Sequence, residues 1–374
     1  MNFKLSDEQR DIQKAAREFA QGEFDPDLAL ELDQTRQFPE SIWKKACHLG
    51  FIGIHYPEEF GGQGLGILEN VLVTEAFCRV DSGIGSALST ADIGSEIVLK
   101  FGSHEQKEQF FIPLTKGEKR LSIAFAESED EKDLTSISPT AERKIEEYFI
   151  NGKRKFVPNA FWANAFIVLC EEQKEGWITL IVEKGDGIEI HPIEKMGLRM
   201  ISFGDLHFKE VRVPHESRVG GEGEGLIQVD HCNKITGLKS AAQALGMAQG
   251  AFDRALQYSK QREQFDRKLS QFQVTRHKLA DMAVSIEVSR WLTYKAAIEF
   301  DQGGMDSGSL PMAQLEVGRR LIWVVDEALQ IFGGYGYIVD QSIEHYFRDA
   351  QAIRLELGTE SEQKDAIAER ILGP

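Results

Sequence analysis

The order of helix and strand signals along the chain limits its possible folds more than any single motif does. Apolar residues recur at helical spacing through roughly the first 120 residues, for example at Ile12, Ala16 and Phe19. Runs rich in β-branched and aromatic residues fill the middle third, and long helical patterns return in the last third. Because helices and strands form separate blocks and do not alternate, we expect an α+β fold with segregated layers.

Three domains follow from these blocks. We predict an N-terminal α-helical domain over 1–121, a β-domain over 122–226 and a C-terminal α-helical domain over 227–374. The chain has 374 residues, of which 42% are hydrophobic, so it can bury a sizeable core.

Local signals mark several element ends. Ser6 and Gln9 have the spacing of a capping box, which predicts that the first helix begins after Ser6. Asn151-Gly152 lies between two strand-like runs, and this pair predicts a hairpin turn. A helix is predicted from Ala241 to Arg262, and another should end at Gly333-Gly334 because glycine is favoured just past a helix C-terminus.

The charge and the cysteines exclude some functions. The 60 acidic residues outnumber the 43 basic ones, and a net charge of −17 repels nucleic acids and anionic lipids, so we expect neither as a partner. We find no secretory signal and no stretch long enough to insert in a membrane. Cys47, Cys78, Cys170 and Cys232 form no CxxC pair, so we expect four free thiols, no metal centre and a reducing, cytoplasmic location.

No dinucleotide-binding GxGxxG, GxSxG or HExxH motif is present, but an ordered series of weaker motifs resembles the acyl-CoA dehydrogenase family over essentially the whole chain. The matching pieces, in order, are YPEEFGGQG (56–64), NGK (151–153), MGLR (196–199), VRVP (211–214), YSKQREQF (258–265), FQ (272–273), QIFGGYGY (330–337), RDA (348–350) and GT (358–359).

The resemblance implies a fold and a reaction. The family has a helical domain, a β-domain and a C-terminal four-helix bundle, and it usually forms a homotetramer. Its members use FAD to oxidise the acyl group of an acyl-CoA thioester, and an electron-transfer flavoprotein reoxidises the cofactor. We therefore expect an enzyme that acts on a CH–CH group of a CoA thioester.

The resemblance also implies a set of cofactor-binding residues. Phe156 would stack on the isoalloxazine ring, although it could simply be a strand phenylalanine, and Arg262 would reach the pyrophosphate of a neighbouring subunit's FAD. The glycines would allow the backbone to approach the cofactor closely. The full set is Ala126, Lys132, Phe156, Pro158, Arg262, Phe265, Gln273, Gln330, Gly333, Gly334, Thr359 and Ser361.

Two departures from the family pattern concern the active site. The stretch 126–133 reads AESEDEKD where the family usually has Thr-Glu-Pro-x-Ala-Gly-Ser-Asp, so several flavin contacts are altered. The usual catalytic Glu before Gly-Thr is replaced by Leu357, and the alternative base position is Thr236. Neither residue can remove a proton. Thr236, Glu356 and Gly358 are predicted to contact the substrate, and the Leu357 N–H is expected to hold the thioester carbonyl.

Asp92 is our hypothesis for the missing base. It falls in a segment that in this family faces the acyl pocket, and its apolar neighbours Ala91 and Ile93 predict a raised pKa. An Asp base without the C-terminal Glu resembles the pattern of cyclohex-1-ene-1-carboxyl-CoA dehydrogenases, which form cyclohexa-1,5-diene-1-carboxyl-CoA in anaerobic degradation of aromatic and alicyclic acids. The alternative is that Asp92 only caps the helix that runs to Phe101.

Two other functions are compatible with the sequence. The protein could oxidise a carrier-protein thioester in a biosynthetic pathway. It could also be a non-catalytic subunit that pairs with an active relative, since both the base and part of the flavin motif have changed.

Overall fold

The computed structural model describes residues 4–125, 139–174, 176–304 and 308–373. Within these ranges a block of helices, a block of strands and a second block of helices follow one another. The predicted α+β class is therefore confirmed.

The N-terminal block consists of helices around a buried central one, α4. Helix α1 begins after Ser6, whose side chain accepts from the Gln9 N–H while the Gln9 side chain accepts from the Ser6 N–H, so the predicted capping box is confirmed. The helices are α1 (Asp7–Glu23), α2 (Pro26–Thr35), α3 (Glu40–His48), α4 (Ile67–Val80), α5 (Ser82–Ser89), α6 (Ser95–Phe101) and α7 (His104–Thr115).

The middle block is a mixed sheet with strand order β6-β7-β3-β2-β4-β5-β8, and β1 pairs with β4 in parallel. On β4, Phe166 and Val168 face a small core within the sheet, while Ile167 and Leu169 face the main core shared with the helices. This two-sided burial explains the continuous apolar run on that strand. The strands are β1 (Leu121–Ala124), β2 (Thr140–Arg143), β3 (Glu147–Pro158), β4 (Ala165–Glu172), β5 (Gly176–Glu183), β6 (Ile188–Ile193), β7 (Phe203–Pro214) and β8 (Arg218–Val219).

The hairpin predicted at Asn151-Gly152 is wrong. Both residues lie inside the single long strand β3, where the pairing with β7 shifts register between Ile150 and Gly152. Gly152 has φ +136°, and a Cβ there would lie 2.6 Å from the Pro139 Cα. The glycine thus permits an irregularity in one strand and a close backbone contact, which are the other common uses of glycine in a strand.

The C-terminal block contains the longest helix, which starts earlier than predicted. Helix α8 begins at Gly225, sixteen residues before Ala241, because its first half buries polar side chains such as Gln228 and Lys239 that disguise its inner face. The elements are α8 (Gly225–Gln261), β9 (Glu263–Gln264), β10 (Arg267–Lys268), α9 (Gln273–Asp301), α10 (Ser309–Phe332), α11 (Glu344–Glu356) and α12 (Glu360–Leu372). The predicted helix end before Gly333-Gly334 is confirmed.

The four cysteines are free and buried, as expected. Among the described residues, no helix combines the length and the apolar composition needed to span a lipid bilayer.

Helix α8 lies against α4 at a point where only glycine fits. A Cβ on Gly246 would lie 2.5 Å from the Glu75 carbonyl oxygen and 2.8 Å from the Cys78 Cβ. Since one of these atoms belongs to the backbone, the clash could be relieved only by moving the two helices apart.

We predict that Gly246→Ala destabilises the protein by about 1–3 kcal/mol, the usual range for an overpacked core. The matched control is Gly22→Ala on α1, where a Cβ would meet nothing within 4 Å. That substitution should stabilise the helix by up to about 1 kcal/mol, because alanine is the better helix former. Thermal unfolding of both variants measures the difference, and equal melting temperatures would contradict the close packing of α4 and α8.

Candidate active site

Asp92 lies in the turn between α5 and α6, where the N-terminal helices meet α8, and it is only 3% exposed. The Lys239 Nζ donates to Asp92 Oδ1 at 2.7 Å, and the Tyr56 hydroxyl donates to Oδ2 at 2.7 Å. The N-cap of α6 is Gly94 and not Asp92. The helix-cap alternative is therefore wrong, and the carboxylate belongs to a buried cluster of polar groups.

The expectation of a raised pKa at Asp92 is also wrong. Burial alone pushes the pKa of Asp92 up, but the Lys239 ammonium outweighs it and holds the pKa below its ordinary value. Burial likewise opposes the charge of Lys239, yet the carboxylates of Asp92 and Glu96 raise its pKa. Both groups are thus ionised at neutral pH.

Further polar groups surround this ion pair. The Tyr56 hydroxyl oxygen lies 2.7 Å from the Ser95 Oγ. On the next turn, Glu96 Oε1 lies 2.6 Å from the Nε2 of His55, and both side chains are buried. The negative charges of Asp92 and Glu96 therefore face the Lys239 ammonium, and the His55 imidazole lies within hydrogen-bonding distance of Glu96.

A narrow cavity of about 10 Å³, which is about the space of one water molecule, adjoins the Asp92–Lys239 pair. Six of its eleven lining residues are apolar, and five are polar or charged. The other lining residues are Phe51, Ile52, Gly53, Asn70, Val73, Thr74, Phe77, Leu88 and Ser89.

Leu357, which occupies the family's usual base position, is 2% exposed and follows directly after the last residue of α11. Its N–H donates to the Ile353 carbonyl at 3.0 Å, because the hydrogen bonding of α11 continues to this residue. The structure therefore does not present the Leu357 N–H as a free donor for a thioester carbonyl, which corrects that expectation.

The three predicted substrate-contact residues, Thr236, Glu356 and Gly358, line one open cleft of about 1250 Å³ between α8 and the end of α11. The Ser240 hydroxyl lies 3.4 Å from Glu356 Oε2. The Glu356 side chain is exposed along the wall of the cleft. Desolvation by the protein atoms around it raises the pKa of Glu356 to about 7, against the opposing effect of Lys195.

Three of the predicted cofactor residues come together elsewhere. Arg262, Gly333 and Gly334 line a groove of about 500 Å³ between the end of α8 and the end of α10. The Arg262 guanidinium lies 5.4 Å from the ring centroid of Tyr335. Gly333 has φ +59°, and a Cβ on either glycine would meet nothing within 4 Å. The backbone there is open to close approach by a ligand.

Phe156 and Pro158 lie on the last residues of β3, apart from that groove. Phe156 has φ +54° and is 38% exposed, and its N–H donates to Asp205 Oδ1 at 3.1 Å. The Pro158 carbonyl accepts from the Ser122 hydroxyl. The strained backbone thus displays an aromatic ring at the surface, in place of packing it in the sheet core.

The remaining cofactor predictions fall at exposed ends of elements. Phe265 forms the turn between β9 and β10, Gln273 opens α9, and Gln330 lies in the last turn of α10. Thr359 is the N-cap of α12 and accepts from the Glu362 N–H, and Ser361 lies in the first turn of that helix. Ala126 and Lys132 lie outside the described residues.

These features fit a flavin dinucleotide. An exposed aromatic ring at Phe156, a guanidinium at Arg262 and an open glycine backbone suit, respectively, a flat heterocycle, a pyrophosphate and close contact. In addition, Asn159 Oδ1, just past Phe156, is buried and has no hydrogen-bond partner among the described residues. Such an acceptor is free for a donor on a bound molecule.

Sequence reasoning missed Tyr56 and Lys239, the two residues that hold Asp92. Tyr56 was visible only as the first letter of a loop motif. Lys239 is a single cation in the small and apolar stretch 235–248 of α8, and a lysine in such a helix face signals a buried carboxylate partner.

We predict that Lys239→Met destabilises the protein by about 3–5 kcal/mol at pH 7, because it leaves a buried carboxylate without its cation. In the wild type, the lowered pKa of Asp92 stabilises the folded state at pH values above 3.8, the ordinary pKa of this group. This contribution is lost as the pH falls through the pKa that Asp92 has in the folded state. In the variant the pKa of Asp92 rises, so its stability should recover in part from pH 7 to pH 5. Urea unfolding at both pH values measures this.

The matched control is Lys14→Met, which removes the exposed Lys14–Glu18 pair at 3.8 Å. Its cost should stay below about 1 kcal/mol at either pH. A Lys239→Met variant that behaves like this control would show that the buried ion pair does not stabilise the fold.

Three family descriptions match successive parts of the chain. The acyl-CoA dehydrogenase N-terminal domain matches residues 6–118, the middle domain matches 122–211 and the C-terminal domain matches 223–372.

Individual relatives match over nearly the full length. The 3-(aryl)acrylate reductase of Clostridium sporogenes is 35% identical over 370 residues, which cover 96% of this chain and 97% of the relative. The short-chain specific acyl-CoA dehydrogenase of Clostridium acetobutylicum is 34% identical and covers 99% and 100%. The solved structure of butyryl-CoA dehydrogenase from Megasphaera elsdenii superimposes with a TM-score of 0.94 at 31% identity, over 100% of both chains. The chain therefore belongs to the acyl-CoA dehydrogenase family of FAD-dependent oxidoreductases that act on CH–CH groups.

Proposed function

We propose that this enzyme dehydrogenates a compact cyclic enoyl-CoA, cyclohex-1-ene-1-carboxyl-CoA, to the conjugated 1,5-diene, with Asp92 as the proton acceptor. The observation that carries the proposal is the buried, ionised Asp92 beside a narrow cavity, combined with a leucine where the family's base usually stands.

The reaction follows from the electronic structure of such a substrate. The α-carbon of a 1-enoyl thioester carries no proton, so the acidic proton lies on the γ-carbon, where the conjugated carbonyl stabilises the developing charge. That proton goes to Asp92. The electrons of the broken γ C–H bond form a double bond to the β-carbon, and the original double bond shifts to join the α-carbon to the ring carbon on its other side, which loses a hydride. The product therefore has one more double bond than the substrate, and the diene is conjugated with the thioester. Bound FAD supplies the hydride acceptor.

The contacts of Asp92 suit a proton acceptor that must be ready at neutral pH. The Lys239 ammonium keeps the carboxylate ionised in a dry site, and the Tyr56 hydroxyl fixes its second oxygen. Both bonds lower the basicity of Asp92, so the proton transfer depends on close placement of the γ-carbon. Lys239 and Tyr56 act here as positioning residues.

The small size of the cavity beside Asp92 favours a compact acyl group. The cavity is narrow, so even a small ring requires the side chains around it to move, and a long acyl chain would require the helices to separate.

Glu356 is a second candidate for the catalytic base. The pKa of Glu356 is raised to about 7 in the cleft, which is the range in which a general base works best near neutral pH. With Glu356 as base, the enzyme would oxidise an ordinary saturated acyl-CoA at its α-carbon. This reaction needs no unsaturated ring.

The two bases are distinguished by crossing variants with substrates. We expect Asp92→Asn to lower turnover of cyclohex-1-ene-1-carboxyl-CoA by about 10²–10⁴-fold, the usual effect of losing a positioned base, and Glu356→Gln to leave it near the wild-type rate. Anaerobic bleaching of the flavin absorbance on mixing with substrate measures both, and retention of the flavin colour in each variant shows that it is folded.

The opposite pattern would support the second base. In that case Glu356→Gln would abolish oxidation of butyryl-CoA, and the wild-type rate would rise with pH through about 7, since the carboxylate must be ionised to accept a proton. If Asp92→Asn oxidises the cyclic substrate at the wild-type rate, the proposed role of Asp92 is excluded.

We also infer that an electron-transfer flavoprotein accepts the electrons and that the chain assembles as a homotetramer, as the family resemblance implies. Support for assembly comes from exposed apolar side chains near the end of α8, namely Phe265, Tyr335, Tyr337 and Ile338. Such clusters commonly mark protein interfaces. Light scattering on the purified protein tests the assembly.

A further inference from the structure

The outer surface of β6 and β7 gathers two histidines and a glutamate. In the antiparallel pairing of these strands, Glu189 lies opposite His207, and His191 is two residues further along β6. Residues two apart on a strand share a face, so all three side chains lie on the same side of the sheet. The alternating residues Ile188, Ile190, Leu206 and Phe208 pack on the small core inside the sheet. The three polar side chains therefore face away from that core.

The three side chains are close enough to share one small ligand. One ligand atom of each residue, an imidazole nitrogen or a carboxylate oxygen, lies within 4.8 Å of the others. The rings of His191 and His207 are 4.4 Å apart between centroids, and His191 Nε2 lies 3.8 Å from Glu189 Oε2. Lys209 holds the other oxygen, Oε1, at 2.7 Å. One glutamate oxygen is thereby positioned and the other is directed at the imidazoles.

We propose that Glu189, His191 and His207 form a binding site for one divalent transition-metal ion of the zinc type, which we name the β6–β7 site.

The donor set determines the class of metal. Two imidazoles and one carboxylate are a known zinc ligand set, in which a solvent molecule takes the fourth position. Imidazole nitrogen favours Zn²⁺ and its neighbours in the transition series over Mg²⁺ or Ca²⁺, which prefer oxygen ligands. Zn–N and Zn–O bonds are about 2.0–2.2 Å long, so binding requires the three side chains to close in by small rotations about their own bonds. Two of them are exposed and one is half-buried, which permits this movement.

The backbone already provides the arrangement that a metal site needs. The strand pairing holds the three Cα atoms in fixed register, so little chain entropy is lost when a metal binds. The sequence alone did not indicate the site, because Glu189 and His191 are separated from His207 by the connection between two strands. The prediction that the chain has no metal centre rested on cysteine spacing, which does not test a cross-strand pair of histidines.

Isothermal titration of the flavin-loaded protein with Zn²⁺ tests the β6–β7 site. We expect one high-affinity Zn²⁺ per chain. His191→Ala and His207→Ala should each weaken that binding by at least about 100-fold, since even the loss of a group that only supports a ligand costs about 10–100-fold. A parallel titration with Mg²⁺ should give no saturable binding.

The matched control is His104→Ala on α7. His104 and Glu108 form an exposed pair with 3.4 Å between Nε2 and Oε1, so this pair offers one imidazole and one carboxylate and lacks the second imidazole. His104→Ala should bind Zn²⁺ like the wild type. The proposal is overturned if the wild type takes up no Zn²⁺ at a defined stoichiometry, or if His207→Ala binds as tightly as His104→Ala. Either result would mean that the adjacent imidazoles of His191 and His207 and the Glu189–Lys209 ion pair are only a polar sheet surface.

Discussion

The ion pair between Asp92 and Lys239 joins the two helical blocks at the place where the chemistry is proposed. Removing two charges from water costs free energy. The attraction between a lysine and an aspartate offsets that cost only when their geometry is good and their remaining donors and acceptors are hydrogen-bonded. Here the Lys239 ammonium and the Tyr56 hydroxyl occupy both carboxylate oxygens, and Glu96 with His55 completes the cluster. The position of α8 relative to α5 and α6 is therefore tied to an electrostatic arrangement and not only to apolar packing.

This arrangement also explains how a chain can lose the usual glutamate and keep a catalytic fold. Leu357 completes the main core, so the substitution exchanges a reactive group for packing at the end of α11. The carboxylate that remains available for a compact acyl group comes from the opposite side of the cavity. A change of substrate geometry, from a saturated chain to a planar ring, requires such a change in the direction of proton removal.

The sequence predicted the fold better than it predicted the site. The periodicity of apolar residues and the composition located the helical and strand blocks, and the capping box at Ser6 located the start of α1, because these signals are local. The Asn151-Gly152 pair failed, because an irregularity inside a strand and a tight turn use the same residues, and only the long-range pairing with β7 distinguishes them. The start of α8 was missed for a related reason, since its buried polar residues are hydrogen-bonded to residues that are distant in the chain.

The environment of Asp92 could not be predicted from Ala91 and Ile93, because adjacent residues in a turn point in different directions. The groups that set its pKa come from positions 56 and 239. Arg262, Gly333 and Gly334 line one groove, whereas the Leu357 N–H donates to a carbonyl within its own helix.

Helix α8 has a consequence for how this chain can vary in length. Its 37 residues extend continuously for about 55 Å, from the edge of the sheet through Lys239 to Gln261, just before Arg262 at the groove that Gly333 also lines. An insertion or deletion of one residue between these two points would rotate one end relative to the other by about 100° and would carry either the lysine or the arginine away from its partner. Changes of length in related chains should therefore be confined to surface loops, and the spacing between these two cations should be invariant.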